Sequence, residues 1–573
     1  MNALEELIEV CLGRKPADLL IHGELVNVFT GETSESYVGV KGGQIAYVGE
    51  SPIPTLEKLD LRSGFILPAF IDGHIHIESS LLTPSRFAAA VIPRGTGCVV
   101  ADPHEIANVM GVDGVRFMIE DAARTPLQVY VTIPSCVPST DLETSGASIG
   151  VEEIEEMRGM EGVIGLGEVM NYPGVLSRDP EMIGKIRACA GMAVDGHAPG
   201  LRGAELCAYV SAGIGSDHES TSVDEAYQKM SLGMMVMMRE GSASRDLSEL
   251  AGVVTERNAR RLMLVTDDKS ADDILSEGHM DHCLRRAVEE GIDPIEAVRM
   301  TTLNPAEHFG LRHLGGVAPG RAADMTVVDS LEDFNVTHVI INGELVAEGG
   351  AYRGGIREAP TPYAGRGTMN FSPVRPEDIA ISYSGEEAIV RVIGVIDGQI
   401  RTEALRERMR VVEGKVQPDA GRDILEVCVV ERHRGSGRIG TGFVRGFGLA
   451  EGAMASSVAH DSHNVVSVGA NERDICGAVN RVREMGGGQV VYRGKPLAEL
   501  PLPVAGLMSP DEAEVVAGGA RELNRAAASL GCDLASPFGT LSFVALPVIP
   551  ELKVTDQGLV DVASFKVVSL FVE

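Results

Sequence analysis

Residues 68–80 read PAFIDGHIHIESS. The run opens apolar, reaches His74 and His76, and then turns polar. Residues two apart on a β-strand share a face, so these two imidazoles can point at one ion. A single HxH is weak evidence for a ligand pair; its weight comes from the segments downstream. Seven of them repeat the plan of a short apolar run, a polar end and a helical stretch: GCVVADPHE, LQVYVTIPSC, GVIGLGEVM, GMAVDGHAP, GIGSDHES, GMMVMMREGS and LMLVTDD. Strands alternating with helices imply a parallel sheet. Eight such units in roughly 250 residues match the size of a (β/α)8 barrel. The expected fold class is therefore α/β, with a TIM-like barrel over 65–311.

The flanks have another rhythm. ADLLIHGELVNVFTGE and SYVGVKGGQIAYVGE alternate apolar and polar residues between turn signals, as short antiparallel strands do. The pattern returns in GGVAPGRAADMTVVDS and VTHVIINGELVAEGG, where INGELV echoes the earlier IHGELV. Two β segments of one style predict a small β-sandwich domain built from both flanks, 1–64 and 312–362, with a short amphipathic helix at the start. A Pro/Gly-rich passage then leads into 363–573. That stretch mixes strands (EEAIVRVIGVIDG, DILEVCVVERH) with a helix (DEAEVVAGGARELNRAAASLG) and reads as a C-terminal α+β domain.

A parallel barrel opens every strand's C-terminal end onto one face. His74, His76, Asp102, His104, Glu168, His197, Asp217, His218, Glu219, Asp267 and Asp268 all lie at such ends. Taken singly, an Asp after a strand is usually a helix cap, and Glu168 or His197 would more often be structural. Four imidazoles (His74, His76, His197, His218) and two carboxylates (Glu168, Asp267) at one mouth are harder to explain that way. Such a set needs a metal or a dense hydrogen-bond network. It suits divalent zinc, manganese or iron, and it could hold two ions with Glu168 bridging. His279 and His282, at helical spacing with no third partner, read as structural. GSGRIG (435–440) matches GxGxxG but runs on into glycine-rich, β-like sequence, where a dinucleotide site needs a helix N-terminus. HEIAN (104–108) lacks the second histidine of a zinc protease.

Composition removes other classes. The 573 residues carry 82 acidic and 50 basic side chains, a net charge of −32. That argues against a nucleic-acid backbone or an anionic membrane as partner. With no Trp, 14 Phe and 10 Tyr, the chain has few aromatics for stacking single-stranded bases. Nine scattered cysteines without a CxxC suit a reducing cytoplasm. No apolar run reaches the ~18 residues of a membrane helix. A soluble, cytoplasmic protein acting on a small molecule is expected.

PAFIDGHIHIESS resembles the first-strand signature of the amidohydrolases, whose barrel sits beside a β-sandwich made from its flanks. The closer resemblance is to the bacterial and archaeal adenine deaminases. It is carried by GHIHIESS, VVADPHEIANVMG, GLGEVMN, DGHAPG, GSDHES, VTDDKS, SSVAHDSHN, LPLPVAGLMS and LSFVALPVIPELKVTDQGL, which span nearly the whole chain. The resemblance implies hydrolytic deamination of free adenine to hypoxanthine and ammonia. It implies His74, His76 and Asp267 as ligands of one ion, His197 and His218 as ligands of a second, and Glu168 between them, with manganese or iron favoured over zinc. Asp267 would also carry the proton. Asp102 and His104 would serve catalysis or support the ligands, with Asp102 or Glu219 as candidate acids near ring N1. Asp217, Glu219, Asp268, His460 and His463 are candidate substrate contacts. The loop HDSHN (460–464) either reaches the barrel mouth or a neighbouring subunit, or docks its own domain. A homodimer or larger homo-oligomer is expected. The alternative keeps fold and metals but acts on a cyclic amide or a different aminated heterocycle.

Overall fold

The computed structural model describes residues 3–357 and 367–572. The expected boundary at 362/363 lies outside these residues. The chain opens on the helix Ala3–Cys11. Strands β1 (Ala17–Asn27), β2 (Glu32–Lys41), β3 (Gln44–Gly49) and β4 (Thr55–Pro68) follow. β4 runs across the expected 64/65 boundary and continues almost directly into the first of the parallel strands.

The eight segments singled out in the sequence form eight parallel strands. They are β5 (Phe70–Ile75), β6 (Thr96–Ala101), β7 (Gln128–Ile133), β8 (Val163–Val169), β9 (Ala193–Gly196), β10 (Ser216–Asp217), β11 (Met235–Arg239) and β12 (Leu262–Val265). β5 to β9 make one ladder and β10 to β12 a second. They meet at two seams. The Gly215 N–H donates to Val194 O at 2.9 Å. Across the other seam, the Asp267 N–H donates to His74 O at 3.0 Å, and the His76 N–H donates to Asp267 O at 2.9 Å. The strands are buried along most of their length, which is why they read as apolar runs rather than as alternation.

The seam between β12 and β5 is fastened by Asp72. Its buried carboxylate accepts from the Thr266 hydroxyl and, at 3.3 Å each, from the backbone N–H groups of Thr266 and His74. His279 lies 3.4 Å from the same carboxylate and 2.9 Å from Thr96 Oγ1. Burial pushes this imidazole down to about 3, so it stays neutral and structural.

After the parallel strands come β13 (Met325–Val328), β14 (Val336–Ile341), β15 (Glu344–Glu348) and β16 (Ala351–Tyr352). β13 pairs antiparallel with β4, so both flanks join in one continuous eight-stranded sheet. Ile21, Val38, Ile45, Ile66, Met325 and Ile340 share its core.

The C-terminal unit is built on a nine-stranded sheet. One helix, Glu472–Glu484, shows the logic. Ile475, Ala478, Val479 and Val482 recur at helical spacing and are buried, while the Asn471 side chain caps the start by accepting from the Asp474 N–H. GSGRIG leads into the strand Ile439–Arg445 rather than into a helix. The unit docks on the parallel-strand unit beside the HIHIESS segment. The Ser509 N–H donates to Leu81 O at 2.7 Å, and the Thr83 N–H donates to Ser509 O at 3.1 Å. Asp556 receives both the N–H and the hydroxyl of Thr144, at 2.9 and 2.6 Å. One apolar core runs through the junction, joining Ile75, Phe87 and Ile106 to Val427, Met454 and Leu541. Among the described residues, no helix is long and apolar enough to cross a membrane.

The seam makes a prediction. Asp72→Ala leaves three donors with no acceptor and should destabilise the chain by about 1–3 kcal/mol. Asp72→Asn, which keeps an acceptor, should cost less. Equal thermal unfolding midpoints for wild type and Asp72→Ala would contradict this role.

Candidate active site

The C-terminal ends of the strands bring the expected residues together. Glu168 is at the centre. Its Oε2 lies 2.6 Å from His197 Nδ1 and 3.2 Å from His218 Nε2; its Oε1 lies 3.3 Å from His76 Nε2 and 3.5 Å from His104 Nδ1. Asp267 Oδ1 lies 3.2 Å from His76 Nε2 and 3.5 Å from His74 Nε2. Burial works to raise both carboxyl groups, but the imidazoles around them win and hold both well below the usual carboxylate range. At Asp267, Arg239 adds to that effect.

Several of these residues are held from behind, through the side chain or the backbone. His74 Nδ1 is 2.8 Å from Asp195 Oδ2, and His76 Nδ1 donates to Asp102 O at 2.9 Å. The His197 backbone N–H donates to the Tyr209 hydroxyl, which in turn donates to Val169 O. The Glu168 N–H donates to Asp102 Oδ2 at 2.9 Å. Gly167 makes that approach possible, because the Asp102 carboxylate fills the space a Cβ would need. Asp267 has φ 61°, a left-handed backbone that Asp tolerates better than most residues. It joins the β5 seam through its main chain while presenting its carboxylate to the histidines.

The donor set fits divalent metal. His74 Nε2 is buried and has no hydrogen-bond partner among the described residues. One donor atom each from His74, His76 and Glu168 lie within 4.8 Å of one another, and the same holds for Glu168, His197 and His218. Imidazole with carboxylate suits borderline divalent ions. The imidazole nitrogens that face away from this cluster at His74 and His76 are already bonded, which fixes the ring orientations as metal sites require.

Other expected residues fall differently. Asp217 is fully buried with Lys229 Nζ at 2.6 Å, and it also accepts from Ala198 N–H, Glu219 N–H and the Ser220 hydroxyl. It braces the wall and does not line the neighbouring cavity. Glu219 is committed to Arg239, whose Nη1 also lies 3.3 Å from Asp267 Oδ2. Asp102 is buried behind Glu168. Neither Asp102 nor Glu219 lines the neighbouring cavity. Asp268 does line it and accepts from the Ser79 hydroxyl.

That cavity, about 590 Å³, lies between the barrel and the C-terminal unit. Glu78, Glu105 and Asp268 face it from the barrel, and His460, His463 and Phe543 from the other side. It adjoins the donor cluster at Asp268, whose carboxylate lies near His76 and Asp267, rather than enclosing it. The HDSHN loop therefore does reach the barrel: His460 Nδ1 is 2.6 Å from Glu105 Oε1, and His463 Nε2 bonds Glu105 Oε2. Sequence reasoning alone misses Glu105, Arg239 and Asp195. Glu105 and Asp195 carry a faint signal, each being a carboxylate within two residues of a strand-end histidine; Arg239 ends an otherwise apolar run.

Comparison with known proteins agrees with this arrangement. Residues 65–346 match the amidohydrolase family, and residues 399–566 match the adenine deaminase C-terminal domain. The adenine deaminase of Archaeoglobus fulgidus is 49% identical over 573 residues, covering 100% of this chain and 98% of its own. That of Methanothrix thermoacetophila is 47% identical with full coverage of both chains. That of Methanothermobacter thermautotrophicus is 48% identical over 96% of this chain and 99% of its own. A likeness of this depth across barrel, flanks and C-terminal unit is one of common descent, and the chain belongs to the adenine deaminase family of the amidohydrolases.

Proposed function

We propose that the eight parallel strands close as a barrel whose mouth performs the family's deamination: adenine and water give hypoxanthine and ammonia, with two divalent ions of the manganese or iron class. The observation that carries this reading is the convergence of four imidazoles on the buried carboxylates of Glu168 and Asp267, next to a cavity of small-molecule size. His74, His76 and Asp267 would hold one ion, His197 and His218 the other, and Glu168 both. A divalent metal held by these residues would supply Lewis-acid activation of water near neutral pH.

The chain's own residues do the remaining work. Asp267 is ionised and within reach of the cluster, so its carboxylate can take the proton of the attacking water and return it to the departing amine. Arg239 keeps Asp267 oriented and ionised. Asp195 holds the His74 ring through Nδ1, leaving Nε2 to face the cluster. The cavity between the barrel and the C-terminal unit would receive the purine, with Asp268 on the wall beside the donor cluster.

Two variants test these roles. Asp195→Ala should weaken divalent metal affinity by about 10–100-fold in a competitive chelator titration, since it frees the His74 ring; unchanged affinity would contradict that support. Asp267→Asn should keep the fold but lose kcat for adenine-dependent ammonia release by about 10²–10⁴-fold. Unchanged turnover would remove Asp267 from proton transfer.

A further inference from the structure

We infer that His460, a residue of the C-terminal unit, hydrogen-bonds a ring nitrogen of adenine other than N1 through its Nε2 and thereby sets specificity; this rests on the adenine reading above. Reaction at C6 occupies the N1 edge, so recognition of the remaining ring nitrogens, N3, N7 and N9, must come from elsewhere in the cavity.

The imidazole of His460 is held on several sides. Its Nδ1 lies 2.6 Å from Glu105 Oε1. Its ring stacks on Phe543, with centroids 4.8 Å apart and planes 15° from parallel. Its backbone N–H donates to Ser542 Oγ at 3.2 Å. The side chain remains 15% exposed and lines the cavity. Nε2 is thus the polar atom left over, with no hydrogen bond among the described residues. A ring fixed in plane and position with one polar atom spare is a pre-organised recognition group.

His463, expected from the sequence to share this role, has no nitrogen to offer. Its Nδ1 accepts from the Ala459 N–H at 3.1 Å, its Nε2 bonds Glu105, and the side chain is buried. It positions Glu105. Glu105 in turn spans the two units, with His104 Nε2 3.4 Å from the same Oε1 that meets His460. Burial disfavours charge on His460, but the Glu105 carboxylate outweighs it and lifts the imidazole to about 9, so Nε2 carries a proton at neutral pH and donates.

The test compares adenine with its 3-deaza, 7-deaza and 9-deaza analogues, each lacking one ring nitrogen, on the metal-loaded full-length enzyme. In the wild type, kcat/KM for one analogue should fall about 10- to 100-fold below that for adenine, the range of a hydrogen bond to a charged group. In His460→Ala, KM for adenine should rise by a similar factor and the penalty on that analogue should largely vanish. His460→Gln, which retains an N–H donor, should lie between. His460→Leu fills the space without a donor and gives the same reading if the alanine variant does not fold. A purely structural role would lower activity without altering the ratio between substrates. Wild-type ratios in the Ala or Leu variant, or no analogue penalty in the wild type, would overturn the inference. Absence of adenine turnover in the metal-loaded wild type would instead sink the functional reading beneath it.

Discussion

Glu168 and Asp267 are ionised carboxylates in a buried site, and a buried charge is costly unless it is paired and hydrogen-bonded. The four imidazoles at the strand ends meet that demand. Glu168 touches His76, His197 and His218, and Asp267 touches His74 and His76. The attraction is mutual: burial disfavours charge on His74 and His197, yet the surrounding carboxylates lift them to about 10 and about 9. A pocket with that appetite for positive charge takes up protons or divalent ions, and neutral imidazole is the form that binds metal.

The surrounding architecture serves this balance. Asp195, the Asp102 carbonyl and Tyr209 fix the histidines from behind, while Arg239 holds Asp267 from the side. Asp267 is also where β12 meets β5, so the residue proposed to move the proton is tied into the sheet by two main-chain hydrogen bonds. The C-terminal unit completes one wall of the cavity and brings His460 and His463 to Glu105. Only the interface of the two units creates that cluster.

The donor set was legible because parallel topology sends every strand end to one face, whatever its place in the sequence. Strand alternation also decides where Asp217 points. Adjacent residues point to opposite sides, so with His218 turned toward Glu168, Asp217 turns outward to Lys229. Glu219 carried no sign that Arg239, twenty residues on, would claim it. Glu105 was hidden for a similar reason: its partners lie more than 350 residues away in sequence. The flanking β segments were readable from their alternation, but their union through the β4–β13 pairing depends on where the barrel returns the chain.

The most direct measurement is ammonia release by the metal-loaded enzyme from a panel of free adenine, guanine, adenosine and a cyclic imide. The account predicts rapid release from free adenine and little from the others. Preferred turnover of the cyclic imide or another ring, with adenine inert, would contradict it.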